Sequence, residues 1–271
     1  MVISPIKGGK LILSFRKLVG AICFSGVLMF MWAGAGRGEM VVFDRVTAVE
    51  KDIRLIVLTK GFLMAEGGQL VDLYLDDQPL KRILTGGDGY GYLKFTPTKP
   101  GLMQIRARSD AGSATGLLLV MGQHDQAIII DIENAFKDAV FSDKIMENSQ
   151  RVVNTLSKNY KLIYMSRYIG QGIGRSWLKK EGFPESVILS WQGPETFTVL
   201  QKRGVQLKAV IGSEEVVSAA EAEHIENRYT FDETKAGRMV KGWDEILSLL
   251  QPALSGEPEK KPCEKTIDGG E

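Results

Sequence analysis

The chain has 271 residues, 44% of them apolar and 25% charged, which fits a folded globular protein with room for two modest domains and excludes wholesale disorder or a collagen-like repeat. Lysine and arginine number 34 against 33 acidic residues, so the basic excess of a nucleic-acid binder is missing. Two cysteines and two widely separated histidines, His124 and His224, argue against a disulfide-dense scaffold, a cysteine-rich zinc module and a multi-histidine metal site.

The first predicted element is an address. Lys7, Lys10, Arg16 and Lys17 precede an apolar run from Leu18 to Trp32, too short to span a bilayer. Ala33-Gly34-Ala35 supplies the small-x-small pattern of a signal-peptidase site, so residues 1–35 read as a signal peptide and the mature chain as periplasmic or secreted rather than membrane-anchored. Cleavage removes Cys23 and leaves Cys263 alone, so stability must come from buried apolar area.

Residues 38–122 read as an all-β unit. Strands are expected at 41–43, 52–58, 70–75, 91–95, 103–108 and 117–121, with turns at Asp76-Asp77-Gln78-Pro79 and Lys99-Pro100-Gly101. Short strands with regular turn signals suggest a β-sandwich, and residues 89–109 resemble the late strands of bacterial immunoglobulin-like domains. The run Gly86 to Gly91 lies between strands and reads as a hairpin loop rather than a phosphate loop.

Residues 124–252 alternate strand and helix, which implies an α/β unit with a Rossmann-like parallel sheet. Strands are expected at 126–131, 161–166, 186–191, 205–211 and about 227–231, with a last helix carrying Trp243, Ile246, Leu249 and Leu250. Sites in such sheets lie at the carboxyl ends of strands, where Asp131, Ser166 and Gly212-Ser213-Glu214-Glu215 fall. Gly170-Gln171-Gly172-Ile173-Gly174 lacks dinucleotide-loop spacing and reads as a glycine-rich connector. His124 is assigned to the linker and His224 to a solvated helix, and the polar segment 255–271 is expected to be disordered.

An apolar strand ending in Asp131-Ile132-Glu133, a second ending in Ser166, then a lysine and an acidic loop resemble the haloacid dehalogenase (HAD) superfamily of phosphohydrolases. Tyr164-Met165-Ser166-Arg167, a helix with Trp177-Leu178 and then Gly182-Phe183-Pro184 are similar to its lipin-type, phosphatidate phosphatase-like branch. The resemblance implies that Asp131 attacks phosphorus to form an aspartyl-phosphate, Glu133 acts as acid and base, and Ser166 binds the phosphoryl oxygens. It also implies that Lys202, with Lys208 as the second choice, neutralises developing charge, and that Asp131, Glu133, Glu214 and Glu215 hold Mg²⁺. The chain departs from the pattern at Glu133, Ser213 and Val217, where the family has Asp. The extra methylene of Glu133 moves its carboxyl by about 1.5 Å.

Two functions are compatible with this set. One is an exported, Mg²⁺-dependent phosphate-ester hydrolase acting on a phosphorylated small molecule or a phospholipid. The other is a catalytically inactive HAD-like binding or scaffold module of the cell envelope, with the β-sandwich engaging a protein partner. Neither involves nucleic acid.

Overall fold

Alternation of apolar and polar residues builds the first half of the chain. In β3 (Ile53–Lys60) Ile53, Leu55 and Val57 are buried while Arg54 is exposed, the period-2 pattern of a half-buried strand. Together β1 (Glu39–Val42), β3 and β6 (Tyr90–Phe95) form a three-stranded antiparallel sheet. A five-stranded sheet joins β2 (Arg45–Ala48), β8 (Gly112–Met121), β7 (Gly101–Ser109), β4 (Leu70–Leu75) and β5 (Gln78–Leu84) in that order. Its strands are antiparallel except β2 and β8, which run parallel. The two sheets enclose a common core of Met40, Val42, Ile53, Leu55, Val57, Val71, Leu73, Ile105, Leu118 and Val120. This computed structural model describes residues 39–61, 64–110, 112–136 and 144–251. The segment 1–35 expected to be a signal peptide, the tail 255–271 and Cys263 lie outside them. Among the described residues no helix is long and apolar enough to cross a membrane.

The sandwich departs from expectation in places. The turn is tighter, because Asp76 and Asp77 alone make it with φ of 45° and 66°, the two-positive-φ geometry that matches strand twist in a hairpin. Pro79 therefore lies in β5, an edge strand, where a missing N–H is tolerated. The run Gly86 to Gly91 is not a hairpin loop, since β5 and β6 belong to different sheets. A Cβ on Gly91 would lie 2.8 Å from Ile83 and 2.9 Å from Val57, so a bare backbone is what lets the sheets close there.

The second half forms one parallel sheet. Its strands are β9 (Gln126–Asp131), β10 (Lys161–Ser166), β11 (Val187–Ser190), β12 (Gln206–Ile211), β13 (Asn227–Thr230) and the two-residue β14 (Arg238–Met239). Their spatial order is β11-β10-β9-β12-β13-β14, all parallel. Chain order reverses direction at β9, which makes its carboxyl end the topological switch point. β9 is buried from Ala127 to Asp131, as a central parallel strand covered on both faces must be.

Helices α1 (Ile132–Ala135), α2 (Ser149–Leu156), α3 (Gly170–Lys180) and α6 (Trp243–Leu250) contribute to the core on one face. Helices α4 (Glu195–Lys202) and α5 (Glu214–Ala222) contribute to the other. Residues 170–174 thus open α3 rather than forming a connector. Gly174 is buried, and a Cβ there would meet Ile132 at 3.3 Å.

β8 links the halves. Leu118 and Val120 enter the sandwich core. Leu117, Leu119 and Met121 join Val46 of β2 in a core with Ile163, Met165, Val187, Phe197 and Leu200. The unbroken apolar run Leu117 to Met121 is therefore buried on both faces. A shared apolar core of this kind holds the sandwich and the parallel sheet in one orientation. Asp44 pins the seam. Its carboxylate accepts from Leu117 N at 2.8 Å, Ile188 N at 2.7 Å, Gln171 Nε2 at 2.8 Å and Arg175 Nη2 at 2.6 and 2.7 Å. Ile188 belongs to the edge strand β11, so Asp44 satisfies a donor that would otherwise face away from the sheet.

Candidate active site

Three strand ends converge at the switch point. β9 delivers Asp131, β10 delivers Ser166, and β12 runs into Gly212-Ser213. Only glycine fits at 212, because a Cβ would stand 2.8 Å from the Cβ of Asp131. Helix α1 starts immediately after Asp131 and turns Glu133 inward. The helix is short, and packing anchors its carboxyl end: Phe136 stacks on Trp243 with ring centres 5.5 Å apart, and Trp243 Nε1 donates to Ala135 O at 2.9 Å. Asp131 is fully buried and Glu133 is 1% exposed.

One oxygen of Glu133 gathers four donors. Oε1 accepts from the Ser166 hydroxyl at 2.9 Å and from the backbone N–H groups of Arg167, Tyr168 and Ile169 at 3.0, 3.0 and 3.1 Å. The Ser166 hydroxyl in turn accepts from Gly170 N at 2.9 Å. Asp131 is less well served. Its Oδ2 accepts from Asn134 Nδ2 at 3.0 Å and from Ser213 N at 3.4 Å. Asp131 Oδ1, Glu133 Oε2 and Arg167 Nε are buried without hydrogen-bond partners.

The two carboxyls are driven apart electrostatically. Burial, reinforced by the charge of Glu133 and opposed by the Asn134 hydrogen bond, pushes the Asp131 pKa up to about 6. Burial pushes Glu133 up as well, but the backbone and Ser166 donors outweigh it and hold that pKa below the usual range. Glu133 is the settled anion, and Asp131 is the group that keeps its proton into mildly acidic pH.

Asp131, Glu133 and Ser166, expected from sequence, come together. Others do not. Lys202 ends α4, ahead of the amino end of β12, where Gln206 pairs with Gln126. It therefore stands at the opposite end of the sheet from Asp131, because the residue preceding a parallel strand is carried to that strand's start. Lys208 lies within β12. Glu214 and Glu215 are the exposed first residues of α5, a placement favourable to the helix dipole. Glu214 accepts from the Thr234 hydroxyl at 3.4 Å, and Glu215 from Trp191 Nε1 at 2.9 Å and from Arg167. Val217 is fully buried.

Two residues escaped the sequence reading. Arg167 supplies the site's cation, donating to Ser213 Oγ at 2.9 Å and pairing with Glu215. Its position directly after a strand-end serine was the available signal. Asn134 sits three residues beyond Asp131, one helical turn away.

These residues do not fit the Mg²⁺ site that the resemblance implies. Glu214 is turned to Thr234, Glu215 is taken up by Arg167 and Trp191, Arg167 brings a positive charge beside Asp131, and among the described residues no three acids, histidines or cysteines gather at one point.

No family model of known proteins matches the chain, and no curated protein matches it. Some solved structures match about a third of it. The CARDB domain of a Pyrococcus furiosus protein is 21% identical over 31% of this chain and 95% of its own, with a TM-score of 0.25. Fibronectin(III)-like modules of Clostridium thermocellum CbhA are 10% identical over 31% of this chain and 98% of their own, with a TM-score of 0.23. The M1 domain from titin is 14% identical over 32% and 96%, with a TM-score of 0.24. Likeness at this level fixes neither fold nor function.

Proposed function

We propose that this chain is an exported, catalytically silent HAD-like protein, in which an immunoglobulin-like sandwich and a Rossmann-like domain form a binding or scaffold module of the cell envelope. One observation carries the reading: the Glu133 carboxylate takes up the Ser166 hydroxyl and three successive backbone N–H groups, donors that a bound phosphoryl group would need. The longer side chain brings an internal anion to the nest. The pKa order supports the same reading, because a nucleophile should be the readier anion and a general acid the slower one, whereas here Asp131 is raised and Glu133 lowered. The sandwich is the proposed surface for an envelope protein partner.

A second reading, the phosphate-ester hydrolase acting on a phosphorylated small molecule or phospholipid, is favoured by the unpartnered Asp131 Oδ1 at the switch point. Hydrolysis of p-nitrophenyl phosphate with and without Mg²⁺ separates the two. The expected result is that the wild type turns over no faster than Asp131→Asn. Turnover that Asp131→Asn removes, with its fold intact by circular dichroism, establishes the hydrolase instead.

A further inference from the structure

A separate cleft of about 370 Å³ lies at the seam between sandwich and parallel sheet, lined by Phe43, Arg45 and Tyr90 from one side and Ser190, Thr196 and Arg203 from the other. Arg45 starts β2 and Arg203 follows α4, so each half contributes one guanidinium. Among the described residues neither arginine has an ion-pair partner. Arg45 Nε is buried without a hydrogen-bond partner. Burial and then the charge of Arg203 pull the Arg45 pKa down to about 10, and burial lowers that of Arg203.

Asp44 also lines the cleft and its charge attracts Arg45, but its carboxylate is held by Arg175 and Gln171, and Asp52 is held by Lys94 and Thr96. Glu195 also lines the cleft but does not figure among the charges acting on either arginine. Two half-buried guanidiniums of like charge are unfavourable until an anion stands between them. The adjoining wall is aromatic. Phe43 stacks on Tyr90 with centroids 6.3 Å apart, and Tyr90 on Tyr92 at 6.2 Å.

We infer that this cleft binds a phosphate monoester of a ring-bearing alcohol, its oxyanion bridging Arg45 and Arg203 and its ring against Phe43 and Tyr90. Two cations facing one pocket match a dianion, and a phosphate monoester carries nearly two charges at neutral pH. Arginine forks suit its oxygens. The inference does not rest on the reading of the Asp131 site and stands whether that site is silent or active.

Calorimetry on the full chain tests it, with phenyl phosphate, inorganic phosphate and the monoanion phenyl sulfate as probes. Phenyl phosphate is expected to bind most tightly. Arg45→Gln and Arg203→Gln should each weaken it on the order of tenfold, as loss of a charge-assisted pair does. Tyr90→Ala should reduce phenyl phosphate to the affinity of inorganic phosphate. In parallel melts, phenyl phosphate should raise the Tm of the wild type but not of Arg45→Gln. Should a glutamine variant fail to fold, Arg203→Lys, which keeps the charge and loses the fork, takes its place with the same expected weakening. No binding at millimolar phenyl phosphate, binding that survives loss of either guanidinium, or phenyl sulfate binding equally well overturns the proposal.

Discussion

Asp131→Asn should stabilise this protein at neutral pH. The carboxyl is fully buried, and its pKa stands near 6 against an ordinary value of 3.8. A raised folded pKa means that stability is fully present below the unfolded value and is lost as pH rises through the folded one. The window therefore runs from about pH 4 to pH 6. A shift of about two units corresponds to roughly 3 kcal/mol. Asparagine removes the charge while keeping a carbonyl oxygen for Asn134 Nδ2 and Ser213 N. Allowing for an imperfect fit of the new amide, the gain at pH 7.5 should be about 1–3 kcal/mol, or roughly 2–10 °C in Tm for a chain of this size. Urea unfolding of wild type and variant at pH 3.5 and pH 7.5 measures it. A variant less stable at pH 7.5, or a gain just as large at pH 3.5, would refute the claim that burial of an ionised Asp131 destabilises the fold.

Glu133 has the opposite sign. Its depressed pKa contributes stability that is present above about pH 4.5 and lost as pH falls, so Glu133→Ala should flatten the acid limb of the stability profile. The same variant orphans four donors and should lose about 3–5 kcal/mol at pH 7 by urea titration. Asp44→Ala strips the seam of its acceptor, leaving Arg175 and two backbone N–H groups unanswered. About 3–5 kcal/mol should be lost, and Asp44→Asn should lose less because it keeps one acceptor oxygen. Leu119→Ala, in the core between sandwich and sheet, should destabilise by about 2–5 kcal/mol and leave one cooperative transition when circular dichroism and tryptophan fluorescence are compared. Two resolved transitions would show that the halves unfold independently.

Local pattern determined much of this molecule. The apolar strand ending at Asp131, the strand ending at Ser166 and the amphipathic last helix need only period and chain order to be recognised. Parallel pairing then brings Asp131 and Ser166 together, because adjacent strands of one direction end at one edge. Glu133, Ser213 and Val217 are also readable in the sequence as departures from the Asp pattern of the family that it resembles. What it does not contain is where Glu133 points. That depends on α1 entering the core beneath Phe136 and Trp243 and on backbone N–H groups 34 to 36 residues away. Arg167 became the cation of the site and Lys202 did not, because the end of the sheet at which a residue emerges outweighs its charge. β2 and β5 were invisible for a related reason. Arg45-Val46-Thr47-Ala48 is held by pairing to β8 and by the second core, and β5 is an exposed edge with little apolar alternation. The cleft between Arg45 and Arg203 joins residues 158 positions apart in sequence. Periodicity records which face of an element is buried, and only the packed fold decides which faces, and which charges, meet.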